Sequence, residues 1–241
     1  TGIDLEKNIQ TLIEDNLEEF FSIRFLATEY STGKKHKGRI DSLGIDENNS
    51  PVIIEYKRQM NENIINQGLF YFDWLLDHKA NFEMLVMDKL GNDIDVDWSS
   101  PRLLCIAEDF TRYDSYAVEQ MNRNIELIRY QVYEGDYILF ELTNVAEGDK
   151  STSKNKKNYK GFDHYYKVAN KKIKKLFQNM EDYILSLGDD VQKKELKYYV
   201  AYKRLRNFAC VEVKKNKILI YLKLDSDKLE TIPELGRDVS N

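Results

Sequence analysis

Residues 38–57 read GRIDSLGIDENNSPVIIEYK. Two short extended runs flank a turn rich in Asp, Asn, Ser and Pro, the pattern of a β-hairpin. Asp41 sits in the first run, and Glu55 and Lys57 follow Val52-Ile53-Ile54 in the second. With the strand period of two, Ile53, Glu55 and Lys57 share one face and Val52, Ile54 and Tyr56 the other. A turn symmetric about Asn48-Asn49 sets Asp41 opposite Tyr56. Asp46 and Glu47 then read as turn residues, which narrows the acidic set to Asp41 and Glu55.

Two carboxylates on neighbouring strands suit a hard divalent cation, which takes one or two carboxylates together with water and phosphate oxygens. A lysine two residues past the second acid projects from the same side and can orient water or bind phosphate. The other reading is an ion-pair cluster on a solvated sheet face. The apolar run before Glu55 points to a central strand and so away from that alternative.

Outward from the hairpin, residues 3–20 read as one amphipathic helix with Leu5, Ile9, Leu12 and Ile13 on its buried stripe. Glu6 falls about 20° from Ile13 around the axis, at the margin of that stripe. Residues 23–26 lead into an extended segment ending near Glu29. The loop from Ser31 to Lys37 carries Lys34, Lys35 and Lys37, either solvated or contacting phosphate. Residues 60–78 read as a helix apolar nearly all round, hence buried. Gln67, Tyr71 and Trp74 form one column, with Gln67 its polar exception. Residues 82–87 and 103–107 read as buried strands, 113–123 as a helix, and 125–133 with 137–142 as a strand pair.

Composition shifts after Asn144. Residues 145–161 hold little that packs, and ten lysines stand against one aspartate between Lys150 and Lys175. That stretch is either a solvated linker running into a charged helix face or a basic strip for nucleic acid. Domains are therefore expected at 1–144 and 162–241, with 145–161 as linker. In the second, Ile173, Phe177, Met180, Ile184 and Leu187 mark a helix over 162–187. Strands are expected at 198–202, 207–213 and 218–224.

At 241 residues the chain has length for two small domains or one large one. It is 42% hydrophobic and 32% charged, which excludes a disordered chain. Its formal net charge of −5 confines any nucleic-acid surface to a local patch. No apolar run of about 18 residues occurs, so no membrane contact is expected. Cys105 and Cys210 read as reduced core thiols and the location as cytoplasmic. The opening Thr1 reads as the start of a trimmed chain.

Gly38-Arg39-Ile40-Asp41, Ile53-Ile54-Glu55-Tyr56-Lys57 and Gln67-Gly68-Leu69-Phe70-Tyr71, in this order, resemble the PD-(D/E)xK nuclease superfamily, its RecB-like and NucS-like endonuclease domains in particular. The resemblance covers about residues 4–142. It implies an α/β (α+β) fold: a restriction-endonuclease-like αβββαβ core with a mixed central sheet. The 162–241 segment resembles a small uncharacterised α+β domain that follows such nucleases, here ending before its last element.

The resemblance also implies Mg²⁺ or Mn²⁺ held by Asp41, Glu55 and the backbone carbonyl of Tyr56, with Glu6 nearby. Lys57 and Gln67 complete the catalytic set, and Tyr71 and Glu29 support it. Lys34, Lys35, Lys37, Arg39 and Arg58 are candidate contacts to DNA. The expected activity is metal-dependent hydrolysis of DNA phosphodiester bonds in repair, recombination or defence. The alternative is a non-catalytic or partner-dependent binding module of the same fold. A homodimer, and a protein partner for the C-terminal domain, remain open.

Overall fold

The structure, a computed structural model, describes residues 2–33, 37–57, 64–134, 137–146, 162–196 and 198–224, with the backbone alone for residues 2–8. The chain divides into two compact units, Thr1–Lys154 and Asn155–Asn241. The first holds a six-stranded mixed sheet and the second a separate four-stranded antiparallel sheet.

The first unit begins with α1 (Gly2–Asp15) and α2 (Leu17–Phe21). The single helix expected over 3–20 is broken at Asn16, whose side-chain amide donates to the Leu12 carbonyl. Its buried residues still step by four, through Ile9, Ile13, Leu17 and Phe21. Leu12, expected inside, is exposed, because this four-step row leaves it off the buried side.

Strands β1 (Ile23–Ser31), β2 (Arg39–Asp46) and β3 (Pro51–Lys57) follow as an antiparallel meander. The β2–β3 register differs by one residue from a turn symmetric about Asn48-Asn49. Ser42 pairs with Ile54 and Ile45 with Pro51, which sets Asp41 level with Glu55 rather than Tyr56. The turn itself is the cause. The Asp46 N–H donates to the Ser50 carbonyl, enclosing three residues, and Asn49 takes a left-handed conformation at φ 62°. Oδ1 of Asp46 accepts from the N–H groups of Asn48 and Ser50 and holds the loop closed. A three-residue loop with a left-handed residue is a common hairpin closure.

Helix α3 (Ile64–Asp77) packs on β3 and on β4 (Arg102–Ala107), which continues the sheet parallel to β3. Between them lies α4 (Lys79–Leu90), where a strand over 82–87 was expected. The run NFEMLVM has one β-branched residue among strong helix formers. As a helix it buries Phe82 and Val86, four apart, and exposes Met84 and Met87. Helix α5 (Arg112–Glu119) starts at a Thr111/Asp114 capping box and stops short of the expected Arg123. Strand β5 (Asn124–Tyr133) joins β4 in parallel, and β6 (Tyr137–Ala146) pairs antiparallel with β5.

The spatial order β1 to β6 equals the chain order, and the expected mixed central sheet of an α+β fold is present. One face of the sheet meets α1 and α2. The other meets α3, where Leu43, Ile53, Leu103, Cys105, Tyr71, Phe72 and Leu75 share one core.

In the second unit the helix expected over 162–187 is two: α6 (Phe162–Val168) and α7 (Lys171–Leu185). Asn170 separates them and caps α7, its side chain accepting from the Ile173 N–H at 2.9 Å. Ile173, Phe177 and Ile184 are buried, whereas Leu187 lies beyond the helix end and is exposed. Strands β7 (Gln192–Glu195), β8 (Val200–Lys203), β9 (Asn207–Val213) and β10 (Ile218–Leu222) form its sheet. The polar run of β7, QKKE, carries no strand pattern and was not anticipated from sequence.

Candidate active site

The site lies where β2 and β3 run side by side under α3. Strand β3 is central, with β2 on one side and β4 on the other, so Glu55 is fully buried. Asp41, on β2, is half-buried. Each carboxylate is fixed by the other strand. The Asp41 N–H donates to Oε1 of Glu55 at 3.3 Å, and the Tyr56 N–H donates to Oδ2 of Asp41 at 3.0 Å. From α3, Gln67 donates through Nε2 to Oε2 of Glu55 at 2.9 Å.

Electrostatics follow from that crowding. Burial, and next the negative charge of Asp41, push the Glu55 carboxyl up to about 9. The Asp41 N–H, the Lys57 ammonium and the Gln67 amide pull the other way and are outweighed. Lys57 is half-buried and, two residues on, shares Glu55's face.

Tyr71, one helical turn beyond Gln67, accepts from the Arg39 N–H at 3.3 Å through its hydroxyl. Gly38 is the residue that fits beside this ring: a Cβ there would stand 2.5 Å from Cε1 of Tyr71. Arg39 pairs with Glu29 at 2.7 Å, and both side chains are largely exposed. Glu29 is left-handed at φ 48°, and the β1–β2 partners step past it from Thr28↔Ser42 to Tyr30↔Ile40. Glu29 thus approaches the site through Arg39. Lys37 is exposed on the same loop. Lys34, Lys35, Arg58 and the Glu6 side chain lie outside the described residues.

Two contributions were missed in the sequence. Gln10, one turn after Glu6 on α1, donates through Nε2 to the Asp41 carbonyl at 3.1 Å, and also to Glu14 and Thr28. Glu14, a further turn on, accepts from Ser42, whose hydroxyl bonds the buried Tyr56 hydroxyl at 3.2 Å. The signal available was the i, i+4, i+8 column Glu6, Gln10, Glu14, polar beside a buried stripe.

The donor set fits a hard divalent cation. Burial and, after it, the charge of Asp41 favour the protonated form of Glu55, and a divalent charge between the two carboxylates opposes both effects. Among the described residues no three His, Cys, Asp or Glu side chains group to hold a metal, so the fit rests on Asp41, Glu55 and main-chain oxygen.

Asp46, read as a turn residue, also has a buried role at the hairpin's far end. Its Oδ2 meets Arg102 at 3.0 Å, and Arg102 forks onto Glu126 at 2.8 and 3.0 Å. All three are buried. Burial lowers the Arg102 pKa, but Glu126 and Asp46 raise it further, so the guanidinium stays charged.

Residues 162–241 match the family described as a domain of unknown function, DUF5655. Over 256 aligned residues the chain is 30% identical to an uncharacterized protein of Haemophilus influenzae, covering 98% of this chain and 83% of that one. A repair endonuclease from Pyrococcus abyssi, solved by crystallography, is similar over 52% of this chain and 46% of its own, at 18% identity and a TM-score of 0.35. An EndoMS–double-stranded DNA complex is similar over 52% and 44%, at 18% identity and a TM-score of 0.31. The chain spans less than half the length of either solved chain.

Proposed function

The chain belongs to the family that includes the uncharacterized Haemophilus influenzae protein, and we propose for it a metal-dependent endonuclease activity that hydrolyses DNA phosphodiester bonds. The observation that carries this reading is the Asp41–Glu55 pair, locked across β2 and β3 with Gln67 bonded to it and Lys57 on the same face. Asp41, Glu55 and the Tyr56 carbonyl would hold Mg²⁺ or Mn²⁺, with Glu6 a further candidate. When bound, the ion lowers the pKa of water and offsets charge on the phosphoryl oxygens.

The chain's own groups do the rest. Lys57 orients the attacking water or binds the phosphate. Gln67 holds the Glu55 carboxylate in position. Tyr71 fixes the backbone at Arg39, which with Lys37, Lys34, Lys35 and Arg58 supplies positive charge along the DNA. Cys105 and Cys210, held as thiols rather than as a disulfide, suit a cytoplasmic enzyme.

The test is incubation with single-stranded, duplex, branched and mismatched DNA, with Mg²⁺ or Mn²⁺, beside Asp41→Ala and Lys57→Ala. Metal-dependent cutting by the wild type and none by the variants is the expected result. Cutting that survives both substitutions, or none of any substrate, overturns it.

A second reading, a non-catalytic or partner-dependent binding module of the same fold, draws on one observation. The carboxylates are engaged by backbone and amide donors, and Glu55 holds its proton at neutral pH. Calorimetric titration with Mn²⁺ separates the two: binding lost in Asp41→Asn and Glu55→Gln favours the enzyme, and no binding favours the module.

A further inference from the structure

Away from that site, lysines cluster in the second unit. Helix α7 opens KKIKK, with no acid in its first turn. A helix N-terminus carries about +0.5 of partial charge, which disfavours each lysine there. The acids of α7, Glu181 and Asp182, lie toward its C-terminal end, where the dipole disfavours them as well. This arrangement opposes helix stability, so a different physical reason is needed for the lysines.

The fold adds to the cluster from a distant part of the second unit's sequence. The Asn170 N–H donates to the Lys215 carbonyl at 3.2 Å, and its side-chain amide donates to Asn216 Oδ1 at 3.3 Å. The turn between β9 and β10, closed by the Lys214 N–H on the Lys217 carbonyl, is thereby pinned to the start of α7. Lys171, Lys172, Lys175, Lys215 and Lys217 are all exposed, without an ion-pair partner among the described residues.

On α7 itself, Glu181 and Asp182 line the same surface hollow as Lys171, Lys174 and Lys175, which leaves Lys172 and the β9–β10 turn lysines off that acidic side. Lys214 pairs with Glu212 and lies 5.2 Å over the Tyr165 ring. Lys174 donates to the Lys167 carbonyl and lies 5.6 Å over Tyr166. Asp163 is exposed on α6. The exposed lysines of the same helix start and turn offer phosphate contacts, with the aromatic faces of Tyr165 and Tyr166 under Lys214 and Lys174 nearby.

We propose that the start of α7 and the β9–β10 turn form one cationic surface that binds the phosphate backbone of nucleic acid. The choice of nucleic acid among polyanions rests on the endonuclease reading; the charge cluster itself does not. A chain with a net charge of −5 needs such a local patch to approach DNA.

The experiment uses the full chain in EDTA, so that cleavage does not interfere. Fluorescein-labelled 30-nucleotide single-stranded and duplex probes are titrated by anisotropy at several salt concentrations. Lys171→Glu/Lys215→Glu is compared with the charge-matched control Lys79→Glu/Lys89→Glu in the first unit. The patch variant should bind about tenfold more weakly, and its salt slope on duplex should fall by about 2, near 0.9 per lost phosphate contact. The milder Lys171→Gln/Lys215→Gln, with its fold checked by circular dichroism, should fall between.

Equal loss in patch variant and control, or no wild-type binding to either probe, overturns the proposal. So does displacement of DNA by polyglutamate at equal charge concentration, which would assign the surface to acidic protein. Wild type that binds both probes yet never cuts them with Mn²⁺ defeats the endonuclease reading and leaves the surface intact.

Discussion

Glu55 has no solvent contact, and Asp41 is its nearest negative neighbour in effect as well as in register. Its carboxyl is raised from 4.5 to about 9 in the folded chain. Between those values the folded state keeps a proton that the unfolded chain has released. Stability therefore falls as pH rises from about 4.5 to 9, and is flat outside that window. In EDTA, Glu55→Gln should melt higher than wild type at pH 8, by an amount on the order of a few kcal/mol, and converge with it near pH 4. Melting curves that run parallel across this range would remove the burial argument. Gln10 gives a second residue-scale outcome. Gln10→Leu releases the Asp41 carbonyl, so Mn²⁺ affinity should drop several-fold while stability falls by about 1 kcal/mol. Calorimetry against Thr28→Val, which keeps the bond to Asp41, shows whether the carbonyl contact is what matters.

The hairpin as an element is held at both ends by different chemistry. At the site end, cross-strand bonds from Asp41 and Tyr56 fix two carboxylates. At the turn end, Asp46 closes the loop with one oxygen and meets Arg102 with the other. Arg102 also binds Glu126, so one guanidinium ties the β2–β3 turn, β4 and β5. Removing it leaves two buried carboxylates facing each other. Arg102→Met should destabilise the first unit by about 3–5 kcal/mol in urea unfolding. The triple replacement Asp46→Asn, Arg102→Met, Glu126→Gln should recover part of that loss, because no charge is then stranded. If Arg102→Met unfolds at the same urea concentration as wild type, the triad contributes nothing.

For the whole molecule, the two units each enclose their own core: one around Ile53, Leu103 and Phe72, the other around Phe177, Val200 and Val211. The fragment 1–154 should therefore fold alone, with one cooperative thermal transition, and bind Mn²⁺ within about threefold of the full chain. A fragment without a transition would mean that the first core needs the second. Under the further proposal, the same fragment should lose most of its affinity for the 30-nucleotide probes.

The hairpin, its carboxylates, Gln67 and Tyr71 were legible because they sit on strands and a helix whose periods are local properties of the chain. Strand alternation fixed the shared face of Glu55 and Lys57, and the apolar run before Glu55 marked a central strand. The 82–87 segment was misread because a short apolar run fits either period, and only its neighbours in space select the helix. The register needed the turn geometry at Asn49, which symmetry does not supply. The Gln10 contact, the Arg102 triad and the bonds from Asn170 to Lys215 and Asn216 join residues 24 to 56 positions apart. Such contacts depend on which elements become neighbours, a choice made by burial of the whole core. Sequence by itself therefore determined the chemical groups of the Asp41–Glu55 pair and their strand faces. The tertiary structure decided what fixes, buries and charges them.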